Sequence, residues 1–297
     1  MRTLLKKFVL AAARLSLRLR YRIRVSGLES VRNLQGATLV LPNHPAYIDP
    51  VMVLTELKLP IGIPRPVVYT ETYRMPPLYP LMRVVNAAEV PDLRRHPRQA
   101  AKATRDLIDW ISRDLKSGQS FLIYPSGRLQ RKDTEWIGGA RMTHDLLAQC
   151  GNVNLVLVRT RGVWGSVFSC APTGDVPDLK KVFWLGIPRL LGSLILFLPR
   201  RDVSIHVESF DSTHCLGMSR LEFNEWLENW YNHDGGESPI YVPYHRLRRR
   251  TSNRERLTRR QSGRGRRLWR KRATAVEKKR KGMGRGRGLG EPASPEG

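Results

Sequence analysis

Cysteine is scarce in this sequence: Cys150, Cys170 and Cys215 are the whole supply in 297 residues. Three scattered thiols exclude a disulfide framework and a cysteine-rich metal site, and they fit a reducing, cytosolic compartment. Long apolar runs are missing as well. No stretch reaches the roughly 18 uncharged apolar residues of a spanning helix. The nearest, residues 182–198, carries Arg189 near its middle together with Gly186, Pro188 and Gly192. It is expected to be helical in pieces, buried or dipping into lipid. A secretory signal peptide is not expected either. Arg14, Arg18 and Arg20 interrupt the apolar core it would need, and no small-residue cleavage site follows.

The third deficit is in acid. Against 52 Lys+Arg stand 26 Asp+Glu, a formal net charge of +26. The excess sits at the two ends: residues 1–24 hold 8 basic residues and no acid, and residues 246–297 hold 20 basic against 4 acidic. Such ends ask for an anionic partner, either phospholipid headgroups or nucleic acid. In residues 1–24, Leu4, Leu5, Phe8, Val9, Ala12, Leu15 and Leu19 recur at helical spacing with Lys and Arg on the other side. That is the pattern of a basic amphipathic helix lying on an anionic membrane surface. From Arg246 onward the sequence dissolves into Arg, Gly and Ser, which predicts a disordered basic tail. The chain therefore divides into an interfacial helix (1–24), a folded domain (25–245) and the tail (246–297).

Within the domain, strand and helix patterns alternate. Thr38, Leu39, Val40 and Leu41 form an apolar strand that breaks at Pro42, and a helix is expected over 51–58. Short strands are predicted at 66–69, 87–90, 120–124 and 153–158. Pro97 opens a helix with Leu107, Ile108, Ile111 and Leu115 on one face and Gly118 past its end, and a further helix covers 139–149. Val203, Ile205 and Val207 alternate as an edge-type strand. Ser219-Arg220-Leu221-Glu222 is a capping box for a helix whose buried face is Phe223, Trp226, Leu227 and Trp230. The fold class that follows is α/β, a mixed, mostly parallel sheet flanked by helices.

Chemistry concentrates in two loops at strand ends, where α/β folds place their sites. In the first, His44 follows the 38–41 strand and Asp49 comes five residues later, just before Pro50. A histidine with a carboxylate beside it is the arrangement of a general base held in one tautomer. Asp49 followed by proline also suits a helix start, whose field keeps a carboxylate ionised. In the second loop, Tyr124-Pro125-Ser126-Gly127-Arg128, the glycine permits a close backbone approach and the arginine offers a planar fork for phosphate. Two such loops are expected to open onto one crevice.

The stretch Asn43-His44-Pro45-Ala46-Tyr47-Ile48-Asp49 resembles the signature of the glycerolipid acyltransferase family, which includes the 1-acylglycerol-3-phosphate acyltransferases. That family's Phe-Pro-Glu-Gly-Thr-Arg block, about eighty residues later, is matched here by residues 124–128 in degenerate form. The resemblance covers roughly residues 25–210. It implies acyl transfer from a thioester, on coenzyme A or acyl carrier protein, to a hydroxyl of a lysophospholipid or glycerol phosphate. The acceptor it favours is 1-acylglycerol-3-phosphate. His44 would act as base and Asp49 as its orienting partner. Asn43, Ser126, Gly127, Arg128 and Arg131 would serve the substrate, with Lys132 a further neighbour able to assist. No bound cofactor or metal is implied, and the enzyme would work at the cytoplasmic face of a membrane as a peripheral or monotopic protein.

Two departures stand out. Ser126 occupies the place of the family's glutamate, and Arg128 follows Gly127 with no residue between them. The first is expected to alter acceptor recognition more than the reaction itself. The rival readings are a nucleic-acid- or anionic-lipid-binding protein acting through residues 246–297, and a catalytically inactive relative. The tail's single aromatic, Trp269, makes base stacking a poor prospect.

Overall fold

Among the described residues of the computed structural model (2–76, 78–90, 97–182, 184 and 200–242), seven strands make one sheet. In chain order the elements are α1 (Arg2–Arg20), β1 (Tyr21–Ser26), β2 (Thr38–Pro42), α2 (Asp49–Glu56), β3 (Arg65–Tyr69), α3 (Thr70–Tyr73), α4 (Tyr79–Val84), β4 (Ala88–Val90) and α5 (Pro97–Lys116). Then come β5 (Phe121–Leu122), α6 (Met142–Cys150), β6 (Asn154–Arg161), β7 (Arg201–Asp211) and α7 (Arg220–Tyr231). The strand order is β1-β7-β6-β2-β5-β3-β4. Every neighbouring pair is parallel except β6 with β7. The α/β class and its mixed, mostly parallel sheet are as the sequence pattern predicts.

The period of two along each strand divides the core between the sheet's faces. On one face Val40, Leu122, Val156 and Val158 pack with Leu10 and Leu17 of α1 and Met52, Val53 and Leu54 of α2. On the other, Leu39, Leu41, Phe121, Leu155 and Leu157 pack with Ile108, Ile111 and Leu115 of α5, Leu146 and Leu147 of α6, and Phe223, Leu227 and Tyr231 of α7. Strand β2 lies between β6 and β5 and is buried along its whole length. Its carboxyl end therefore opens into the middle of the domain's edge, with the end of β5 alongside.

Helix α1 is docked by more than its two leucines. The Arg14 guanidinium donates from Nε and one terminal nitrogen to the two carboxylate oxygens of Glu56, at 2.9 and 2.7 Å. Glu56 is the last residue of α2, so this paired contact ties α1 to the far end of the helix that begins at Asp49.

Several boundaries differ from the sequence reading, each for a local reason. The basic helix stops at Arg20 rather than running to residue 24, because Tyr21, Ile23 and Val25 alternate with Arg22, Arg24 and Ser26 and pair in register with β7. That pairing also places β7 inside the sheet, between β1 and β6, not at its edge. The alternation read as an edge strand instead reflects one half-open face, where Asp202 and Ser204 are exposed. Helix α2 begins at Asp49, two residues early, and α6 begins at Met142, three residues late. The capping box of Ser219 and Glu222 forms as expected. Behind it, though, Phe223, Asn224, Leu227 and Tyr231 are the buried residues, while Trp226 and Trp230 pack at the margin. The basic tail and most of residues 182–198 lie outside the described residues. Among the described residues no helix is long and apolar enough to cross a membrane.

Phe223 has no solvent exposure and anchors α7 to the sheet. Replacing it with alanine is expected to lower unfolding free energy by about 3–5 kcal/mol in denaturant titration. A loss below about 1 kcal/mol would mean that α7 is not seated as described.

Candidate active site

The first loop is held before it reaches its histidine. Asn43 is buried and uses both polar atoms of its side chain on Thr160 of β6: Oδ1 accepts from the Thr160 N–H at 2.7 Å, and Nδ2 donates to the Thr160 carbonyl at 3.1 Å. Its amide is committed to tying the ends of β2 and β6 together.

His44 follows, fixed from both sides by the second loop region. Its backbone N–H donates to Glu135 Oε2 at 3.0 Å, and its carbonyl accepts from the Gln130 N–H at 2.8 Å. The imidazole Nδ1 lies 3.1 Å from Asp49 Oδ2. The His44 side chain is 13% exposed and that of Asp49 is 0%. A carboxylate without solvent needs donors, and Asp49 has two more. The Ala46 N–H reaches Oδ2 at 3.0 Å, and the Tyr124 hydroxyl donates to Oδ1 at 2.5 Å. Asp49 is the first residue of α2 with Pro50 second, while Ile48 is the N-cap. Its side chain is thereby freed from capping to face the histidine.

Tyr124 does a second job. Its ring stacks on the imidazole with centroids 4.0 Å apart and planes 30° from parallel, while Tyr47 meets the same imidazole edge-on at 6.2 Å. Burial, reinforced by the negative charge of Asp49, holds the Tyr124 phenol well above its ordinary pKa, so it stays a proton donor. With Nδ1 donating to Asp49, the ring's Nε2 carries the free lone pair. Such a nitrogen can take a proton from a hydroxyl placed against it.

The acyltransferase family model matches residues 22–163, which span β1 to the end of β6 and contain both loops. Through this segment the chain is similar to the acyltransferase family. It is an acyltransferase enzyme. Its fold is similar to that of the 1-acyl-sn-glycerophosphate (LPA) acyltransferase PlsC from Thermotoga maritima, with a TM-score of 0.50. That match has 17% sequence identity over 79% of this chain and 81% of the other. No curated protein matches the sequence.

The acyltransferase's second loop does meet the first, because β2 and β5 are parallel neighbours with Leu39 opposite Phe121 and Val40 opposite Leu122. Gly127 closes a turn by donating to the Tyr124 carbonyl at 3.0 Å. Its φ of +58°, with the Tyr69 hydroxyl 3.3 Å from where a Cβ would stand, favours glycine at this point. The Ser126 hydroxyl donates to the Arg128 carbonyl at 2.9 Å and lies near enough to the Glu135 carboxylate to lower its pKa. The Arg128 guanidinium sits over the Trp136 ring, 4.4 Å from its centroid, a cation–π contact at the protein surface. Arg131 is exposed further along, near enough to Cys170 to oppose the rise that burial causes in that thiol's pKa. The loops thus bring His44, Asp49, Ser126 and Gly127 into one neighbourhood, while Arg128 turns to Trp136 and Arg131 is exposed.

Two groups at this centre escape the sequence reading: the Tyr124 hydroxyl and the Glu135 carboxylate. Tyr124 was visible as the last residue of a strand, one position before the loop. Glu135 sits in Lys132-Asp133-Thr134-Glu135-Trp136, which reads as an ordinary polar turn.

Removing the Tyr124 hydroxyl leaves a buried carboxylate short of a donor. The Tyr124→Phe variant is expected to lose about 1.5–3 kcal/mol of stability, measured by denaturant unfolding. Unchanged stability would mean that the hydroxyl does not satisfy Asp49.

Proposed function

We propose that this acyltransferase moves a fatty acyl group from an acyl thioester, carried by coenzyme A or acyl carrier protein, to a hydroxyl of a lysophospholipid or glycerol phosphate. 1-Acylglycerol-3-phosphate is the foremost acceptor. The observation that carries the reading is the His44–Asp49 contact of 3.1 Å, made by a carboxylate with no solvent exposure and answered by the Ala46 N–H and the Tyr124 hydroxyl.

In the proposed reaction His44 Nε2 takes the proton of the acceptor hydroxyl as its oxygen attacks the thioester carbonyl carbon. The new C–O bond gives a tetrahedral intermediate, which collapses with cleavage of the C–S bond. The electron pair leaves on sulfur, and the imidazolium proton returns to the thiolate directly or through solvent. Asp49 keeps Nδ1 protonated and stabilises the imidazolium, and no acyl-enzyme forms. Arg128 and Arg131 would meet an acceptor's phosphate rather than the reacting carbonyl.

A lipid acceptor calls for a lipid-facing enzyme, and α1 supplies the surface. Its inward face carries Leu10, Leu17 and Arg14, whereas Leu4, Phe8 and Leu15 project outward at 72%, 72% and 66% exposure. This is the apolar stripe read from the sequence, turned away from the domain and flanked by Lys and Arg. The surface suits a peripheral position on an anionic membrane, and the three free thiols suit its cytoplasmic face.

Two outcomes test this. In mixed micelles with labelled acyl donors and a panel of lysophospholipids, His44→Ala and Asp49→Asn should each lower kcat by about 100- to 10,000-fold. A fully active His44→Ala would remove the mechanism. Separately, Leu4→Glu combined with Phe8→Glu should weaken vesicle co-sedimentation at least tenfold, at salt high enough to screen the basic ends, since each side chain contributes about 1.5–3 kcal/mol when buried. Undiminished sedimentation would exclude α1 as the lipid contact.

A further inference from the structure

Glu135 is an acid where an acid is costly. Its side chain is buried beside a second buried carboxylate, Asp49, and both raise its pKa, burial more than the neighbouring charge. Opposing them are the His44 N–H at 3.0 Å, the Ser126 hydroxyl and the charge of His44. A group placed at such expense needs a firm support, and α7 provides it. Asn232 accepts from the Glu135 N–H and donates to the Glu135 carbonyl, both at 2.9 Å. Glu228 accepts from the N–H groups of Ile137 and Gly138 at 2.7 Å each. Asn224 donates to the carbonyls of Gly138 and Ala140 at 2.7 and 2.9 Å. Two polar residues of α7 and its C-cap Asn232, spaced four apart, thus hold the strip that begins with Glu135.

We propose that Glu135 is a positioning residue of the active site, gripping the His44 backbone N–H so that the imidazole meets the acceptor at a fixed place. Its negative charge also favours the imidazolium that forms as the acceptor loses its proton. The Tyr231 hydroxyl donates to the Leu41 carbonyl at 2.8 Å, and the nearby carboxylate of Glu135 adds to the burial that holds its phenol protonated.

The inference rests on the acyl-transfer reading, and the test separates the two. Full-length wild type, His44→Ala, Glu135→Gln, Glu135→Ala and the double variant Ser126→Glu/Glu135→Ala are compared in the micelle assay, with thermal melting as a check on folding. Glu135→Ala should lose about 100-fold in kcat with KM for donor and acceptor unchanged, as expected for a displaced base. Glu135→Gln keeps one acceptor oxygen but not the charge, and should lose about tenfold, the effect of one pKa unit of lost charge stabilisation. Ser126 is near enough to the Glu135 carboxylate to lower its pKa, so a glutamate at 126 extends toward the space that Glu135→Ala vacates, and the double variant should recover at least tenfold over Glu135→Ala. A loss of stability alone would not be repaired in that way. Wild-type kcat for Glu135→Gln overturns the inference, as does a double variant no faster than folded Glu135→Ala, or a loss confined to KM. If Glu135→Ala does not fold, Glu135→Gln decides alone. An inactive wild type or a fully active His44→Ala sinks the acyl-transfer reading, and this inference with it. The Glu135 role fails by itself only beside an active wild type and a dead His44→Ala.

Discussion

A carboxylate sealed from water has to be answered by donors, and much of this site follows from how Asp49 is answered. One oxygen takes the His44 ring and the Ala46 N–H, and the other takes the Tyr124 hydroxyl. The Ala46 contact closes the loop between histidine and aspartate on itself. The Tyr124 contact binds that loop to the end of β5. The histidine contact is the one available for chemistry, and the other two keep Asp49 from drifting toward water or toward the second carboxylate nearby.

The fold delivers these contacts through strand order. Because β2 runs parallel between β5 and β6, its carboxyl end has one neighbour offering Tyr124 and another offering the Thr160 backbone to Asn43. Helix α7 lies far along the sequence from the first loop. It reaches the site through the strip 135–140, by way of Asn224, Glu228 and Asn232. The α1–α2 clamp between Arg14 and Glu56 extends the connection outward, so the helix with the exposed apolar stripe is joined to the helix that starts at Asp49. In the proposed function these are consecutive parts of one path, from lipid surface to reacting histidine.

How much of this could be read in the sequence depended on the range of the interaction. The pairing of His44 with Asp49 is local, set by a five-residue spacing between a strand and a helix, and the sequence carries it openly. The strand–helix alternation gave the sheet class for the same reason. Boundaries slipped where two patterns met: Tyr21, Ile23 and Val25 continue the apolar count of α1, yet their period of two belongs to a strand. What stayed hidden is non-local. That Asn43 would turn to β6 depends on which strand lies beside β2, and no residue near Asn43 announces it. Glu135 becomes a site residue only because α7 folds back over its backbone. The two polar residues of α7 and its C-cap Asn232, at intervals of four, were legible as a pattern, but their partner was not.

The most direct measurement is the tautomer of His44, read from long-range ¹H–¹⁵N correlation spectra of protein labelled at histidine nitrogen. With Asp49 sealed beneath the ring, the neutral imidazole should carry its proton on Nδ1, leaving an unprotonated Nε2 signal that belongs to His44 and disappears in Asp49→Asn. A neutral ring protonated on Nε2 would contradict the orientation described, since the lone pair would then face Asp49 and no base would be turned toward an acceptor hydroxyl.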